Sequence, residues 1–207
     1  MTLGIMQPYF FPYLGHFQLI ALTQRWIIFD VVKYSRKSWI NRNRVLKPGG
    51  GWQYITVPVS APSLCAISDV RVLDKVGALA RITGQLDHYR KYAPYFAAVI
   101  SMVRETFAAA QSDLLVDLDR HALRVICERL GISFRAEVCS EMGLDLPPIE
   151  HPGQWALEIS KRVGADGYIN PESGRSIFHP EEWARAGIHL DFMKPIEFRY
   201  DCGPYTF

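Results

Sequence analysis

Short apolar runs alternate with longer amphipathic stretches along this chain. Leu3-Gly4-Ile5-Met6 is a run of the first kind and reads as a buried strand. Residues 15–24 read as a helix with Phe17, Ile20 and Ala21 on one side. Trp26-Ile27-Ile28-Phe29 is a second apolar run, bounded by polar residues, with Asp30 at its C-terminal end. A strand, a helix and a strand this close together predict a βαβ unit. Pro48-Gly49-Gly50-Gly51 is a turn signal leading into a third strand at 52–59. Val72, Val76, Leu79, Thr83 and Leu86 then recur at intervals of three or four, an amphipathic stripe. Pro94 interrupts the helical pattern because proline disfavours helical geometry in the residue before it. A second helix is expected at 97–110 and a third at 113–130, with Leu115, Leu118, Ala122, Val125 and Ile126 as its stripe and Gly131 as its stop. Alternation then resumes: a strand at 132–138, a helix at 153–164, a strand at 167–170, a helix at 180–186 and a strand at 188–193. This order predicts one α/β domain over 1–207, with a mostly parallel, Rossmann-like sheet. The helical run at about 73–130 exceeds one crossover and reads as an inserted helical lobe.

Composition narrows the class. The chain has 207 residues, 49% hydrophobic and 21% charged, which suits a soluble globular protein with a core that needs no staples. Its longest apolar runs fall far short of the ~20 residues of a membrane span. The N-terminus shows neither a charged leader nor a cleavage site, so no signal peptide is expected. Cys65, Cys127, Cys139 and Cys202 lie far apart, with neither zinc-ligand nor C-x-x-C spacing. Reduced, mostly buried thiols in a cytoplasmic protein are the expectation.

Charge points to a ligand. Residues 31–68 hold no Asp or Glu but carry Lys33, Arg36, Lys37, Arg42, Arg44 and Lys47. These six exceed the net charge of +2, so the rest of the chain is mildly acidic. A basic island on an acidic body suits an anionic ligand better than DNA, unless it is simply a solvated face.

Ligands of open α/β sheets bind beyond the carboxyl ends of the strands. Three segments have that address: 7–16, 30–44 and 170–178. They are expected to meet in one cleft. In the first, Gln7 is the first polar residue past the strand. Pro8 and Pro12 stiffen the loop, while Tyr9, Phe10, Phe11 and Tyr13 wall a pocket or pack the loop down. Gly15 and His16 open the following helix, and the histidine is a ligand contact or a structural residue. In the second segment, Lys37, Arg42 and Arg44 suit phosphate, and Trp39 and Tyr34 offer flat faces. Asn41 and Asn43 can read hydroxyl or amide groups, and in an extended chain they share one face while Arg42 and Arg44 share the other. In the third, Asn170, Ser173, Gly174 and Arg175 either cradle a carboxylate or phosphate or form a tight turn. No hydrolase triad, carboxylate dyad or metal-ligand spacing stands out, so no metal is expected. The stretch FPYLGH keeps the Pro and Gly-His of the nucleotidylyltransferase signature, with Tyr13 where the first His would stand.

Several stretches together are distinctive: MQPYFFPYLGHFQLI, DVVKYSRKSWINRNRVL, YRKYAPYF, LGISFRAEVCSEM and GADGYINPESGRSIFHPEEWARAGIHLDFMK. In this order they resemble the WbqC-like protein family, whose members are encoded in gene clusters for O-antigen and other surface polysaccharides. Members often have Gly-Gly where this chain has Ser173-Gly174, and Tyr at the positions of His16 and Phe178. They also continue past Tyr-Thr-Phe, so a further C-terminal element is expected to be missing here. The resemblance implies an acyl- or aminoacyl-transferase, with glycine as one group transferred, acting on a nucleotide-linked or phosphate-bearing amino sugar. Lys37, Arg42 and Arg44 would hold phosphates and Trp39 would stack. Gln7, Asn41, Asn43 and Asn170 would orient sugar and acyl groups, and Asp30 would be the general base. Coenzyme A, a carrier protein and aminoacyl-tRNA are the donors left open, and no cofactor is fixed. The alternatives are an ATP- and Mg²⁺-dependent nucleotidylyl- or adenylate-forming enzyme and a non-catalytic nucleotide-sugar binding module.

Overall fold

The structure is a computed structural model that describes residues 1–205. In chain order its elements begin with β1 (Thr2–Met6), α1 (Leu14–Ala21), β2 (Arg25–Ile28), β3 (Arg42–Leu46), β4 (Trp52–Thr56), β5 (Val59–Ser60) and β6 (Arg71–Val72). Three helices follow, α2 (Lys75–Leu86), α3 (Phe96–Ala109) and α4 (Leu115–Leu130). The chain closes with β7 (Ala136–Val138), α5 (Gln154–Arg162), β8 (Gly167–Pro171), α6 (Pro180–Ala186) and β9 (His189–Met193). These elements sort into two compact units.

The first unit comprises Met1–Gln7, Tyr13–Phe29 and Gly131–Glu197. Its strands form one five-stranded sheet in the order β7-β2-β1-β8-β9, with every neighbouring pair parallel. Helices flank it, which makes the unit α/β and Rossmann-like, as the alternation predicted. Leu3, Ile5, Ile27 and Ile28 are buried, and so are all five residues of β8. Parallel strands covered on both faces need such continuous apolar runs, which is why the sequence shows runs here and no period of two. The sheet reverses its winding between β1 and β8. From β1 the chain winds to β2 on one side, and from β8 to β9 on the other.

The second unit comprises Pro8–Pro12, Asp30–Leu130 and the residues from Phe198 onward. Two antiparallel pairs, β3-β4 and β5-β6, accompany α2, α3 and α4. Phe10, Ile40, Ile55, Ile82, Phe107 and Leu118 are among the buried residues that form its core.

Several boundaries differ from expectation. Of the strand predicted at 52–59, Trp52–Thr56 belongs to the β3-β4 hairpin and Val59 opens β5, and both lie outside the parallel sheet. Of 132–138 only Ala136–Val138 pairs, with β2. The first helix stops at Ala21, where the hydroxyl of Thr23 takes over by donating to Ile20 O at 2.8 Å. Helix α2 starts late because the side chain of Asp74 caps it, accepting from Gly77 N–H. Val72 therefore lies in β6, Val76 is 81% exposed, and the buried face is Ala78, Ile82 and Leu86. Cys127 and Cys139 are buried, and Cys65 and Cys202 are partly exposed. Burial pushes the Cys127 thiol up to about 12, which removes it as a nucleophile. Among the described residues, no helix is long and apolar enough to cross a membrane.

Candidate functional site

The basic island takes its shape from the β3-β4 hairpin. Gly49, Gly50 and Gly51 all have positive φ, and Gly50 N–H closes the turn onto Lys47 O. Register then follows: Arg44 faces Tyr54, and Asn43 faces Ile55. Alternation sends Asn43, Val45 and Ile55 one way and Arg42, Arg44, Trp52 and Tyr54 the other. Ile55 belongs to the core and Val45 packs against it, so the other face is the outer one. There the Arg42 guanidinium lies 4.0 Å from the centre of the Tyr54 ring. The Arg44 guanidinium lies 4.7 Å from the Trp39 ring and 4.6 Å from the Trp52 ring. Stacking of this kind holds a guanidinium plane without using its N–H edge, which is exposed on Arg44, whereas the Nε of Arg42 is buried. Arg42 also donates to the carbonyl of Lys37, a residue held at φ 64. Lys37, Trp39, Arg42 and Arg44 are thus brought together, and none of these cations is paired with an Asp or Glu among the described residues.

The two asparagines expected to face the ligand are engaged internally. Asn41 is buried, accepting from Tyr34 O–H at 3.1 Å and donating to Val57 O at 2.9 Å. Asn43 donates both amide hydrogens, to Phe10 O at 3.2 Å and Phe11 O at 2.5 Å, and accepts from Arg44 N–H at 2.7 Å. Phe11 holds φ 45, a strained value for a side-chain-bearing residue. Phe10 N–H bonds Trp39 O at 2.9 Å. The aromatic opening loop therefore packs down, with Pro8, Phe10 and Pro12 buried, and fastens the 37–44 segment. Asp30 is wholly buried, so it cannot take a proton directly from a substrate in this conformation.

The first unit offers the other address, the winding reversal beyond the carboxyl ends of β1 and β8. Gln7 stands there, half-buried, directly after β1. Asn170, in β8, is buried and accepts from Tyr168 O–H at 2.9 Å while donating to Pro171 O at 3.1 Å. One amide hydrogen of Asn170 remains beyond these two bonds. Glu172–Ile177 is a 3-10 turn, the tight-turn alternative for this segment. Ser173 is exposed in it. Gly174 is glycine for space: a Cβ there would overlap the amide nitrogen of Asn170. Arg175 is bound at two points by Glu172, at 2.8 Å each, and lies 4.0 Å above the Phe192 ring, so its charge is already answered. His16 is buried against Trp26, with ring centres 5.3 Å apart, and burial drives its pKa down to about 4. It is a neutral packing residue at physiological pH.

Trp52 and Tyr54 escaped the sequence reading. Folding the chain back at Gly49-Gly50-Gly51 and pairing the alternating aromatics with the alternating arginines would have found them.

A five-stranded parallel sheet that reverses its winding at β1 and β8, flanked by helices, defines a Rossmann-like α/β protein. The model of the WbqC-like protein family matches residues 7–207, and the chain belongs to that family. It is 32% identical over 175 residues to the uncharacterized protein Rv1507c of Mycobacterium tuberculosis, an overlap of 84% of this chain and 73% of that protein. No solved structure matches the chain.

Proposed function

We propose that this protein is an acyl- or aminoacyl-transferase, with glycine among the groups transferred, acting on an amino sugar that carries a nucleotide or phosphate. The observation that supports this reading is the outer hairpin face. Two stacked guanidiniums with no carboxylate partner among the described residues suit a phosphate, and the indoles of Trp39 and Trp52 suit a base or sugar ring. Lys37 adds a point charge. Catalysis would rest on positioning and on stabilising an oxyanion. Gln7 and the remaining amide hydrogen of Asn170 are the polar groups offered at the sheet's winding reversal. Asn41, Asn43 and Asp30 act by holding the loops, and Gly174 and Arg175 by shaping the turn after β8.

The burial of Asp30 favours a second reading, a non-catalytic module that binds a nucleotide sugar. The nucleotidylyl-transfer alternative needs a charged imidazole, and His16 is held neutral. The test is mass spectrometry of nucleotide-linked amino sugars incubated with protein and acyl-coenzyme A, an acylated carrier protein or glycyl-tRNA. An acylated sugar supports the transferase. Tight binding without product from any donor supports the module.

A further inference from the structure

Two His-Pro pairs, His151-Pro152 and His179-Pro180, come together in the first unit. Their imidazoles stack with ring centres 4.2 Å apart, and the carboxylate of Glu182 faces both. His151 Nε2 lies 2.9 Å from one carboxylate oxygen and His179 Nδ1 lies 3.6 Å from the other. One donor atom from each residue falls within 4.8 Å of the others. We propose that His151, His179 and Glu182 form a binding site for one zinc ion.

The donor set favours zinc. Two imidazoles and a carboxylate are borderline ligands suited to a tetrahedral transition-metal site, whereas Mg²⁺ and Ca²⁺ want six or more oxygens. Zinc bonds of about 2.0–2.1 Å place tetrahedral ligand atoms roughly 3.3 Å apart. The two histidine nitrogens lie 2.9 and 3.6 Å from different oxygens of Glu182, and all three donor atoms lie within 4.8 Å, so the stacked rings must turn and the donors draw together to meet one ion. The backbone beneath is fixed. Glu182 N–H bonds His179 O in the first turn of α6, and Gln154 N–H bonds His151 O. A Cβ on Gly153 would overlap the carbonyl oxygen of Ile177, so only glycine lets the two loops lie this close. The positive end of α6 opposes a cation, and Glu181 and Glu182 in its first turn offset that.

All three side chains keep some exposure, which gives the ion a route in. Glu182 also lines an open groove of about 330 Å³ between α5 and α6, beside Glu158, Lys161 and Arg185. Three protein ligands leave a fourth position for water or an incoming group. His151 Nδ1 is buried without a hydrogen-bond partner among the described residues. Ligation through Nε2 therefore lacks the outer-shell hydrogen bond worth about 10–100-fold in affinity, so weaker binding than at a fully supported site is expected.

The test is calorimetric titration of the full chain, stripped with a chelator, with ZnCl₂ and MgCl₂. One equivalent of zinc and no magnesium should bind. His179→Ala and Glu182→Gln should each weaken zinc binding at least tenfold while circular dichroism stays native. Cobalt(II) added to the native protein should show the visible bands of four- or five-coordination, and these should vanish in both variants. Absence of zinc binding, binding undiminished in either folded variant, or an octahedral cobalt spectrum would overturn the proposal. If one variant fails to fold, the other and the native cobalt spectrum decide.

Discussion

Replacing Asn43 by alanine is expected to destabilise the protein by about 2–3 kcal/mol. The substitution removes three hydrogen bonds: two donated to the carbonyls of Phe10 and Phe11 and one accepted from Arg44 N–H. At ~1 kcal/mol net for each bond the gross loss is about 3 kcal/mol. Phe11 then becomes free to leave φ 45, which returns part of the 1–3 kcal/mol that such strain costs. Thermal unfolding followed by circular dichroism should show a melting temperature lower by roughly 4–12 °C, since each kcal/mol shifts a chain of this length by about 2–4 °C. Asn43→Asp keeps the acceptor but sets a carboxylate against two carbonyl oxygens, so it should be at least as destabilised. The reasoning fails if Asn43→Ala melts like the native protein while its affinity for a nucleotide drops tenfold or more. The amide would then address a ligand.

Asp119 is wholly buried in α4, neither carboxyl oxygen has a hydrogen-bond partner among the described residues, and burial raises its pKa well above the usual carboxylate range. The folded state thus prefers the proton, so stability is fully present below about pH 3.9 and falls by about 1.4 kcal/mol per pH unit above it, until the folded pKa is passed. Asp119→Asn lacks this slope, so urea midpoints from pH 4 to 7 should show its advantage over the native chain growing with pH. A difference independent of pH would count against the buried, unpaired acid. Gly174→Ala should cost about 1–3 kcal/mol by overpacking against Asn170, and an unchanged melting temperature would mean the turn after β8 yields freely.

The inner strands of the parallel sheet were legible because each is a contiguous, mostly apolar run between helical patterns, as β1, β2 and β8 illustrate. The family resemblance was legible for the same reason, since its motifs are contiguous stretches. Pairings distant in sequence were not. Asn41 and Asn43 display an amide's capacity in the sequence, but not the carbonyls of Val57, Phe10 and Phe11 that occupy it. Trp39 and Arg44 were visible as ring and cation, whereas the second indole, from Trp52, arrives only when the hairpin closes. Of the predicted stripe, Leu79 and Leu86 do meet the core, while Val76 is exposed in the first turn and Val72 lies in β6, before the Asp74 cap. His151 and His179 come from separate connections, and no local spacing announces their meeting.

The central claim is that the outer hairpin face recognises a phosphorylated ligand. Calorimetric titration of UDP into native protein, Arg44→Ala and Arg42→Ala at two salt concentrations tests it most directly. Arg44 is exposed on the hairpin, so its loss should leave the fold intact. Each arginine lost should cost about 1.5–3 kcal/mol, roughly 10- to 150-fold in Kd, and binding to the native protein should weaken as salt rises. Equal affinity of native and both folded variants, or native binding that ignores salt, would contradict the account and leave the stacked arginines as a solvated surface.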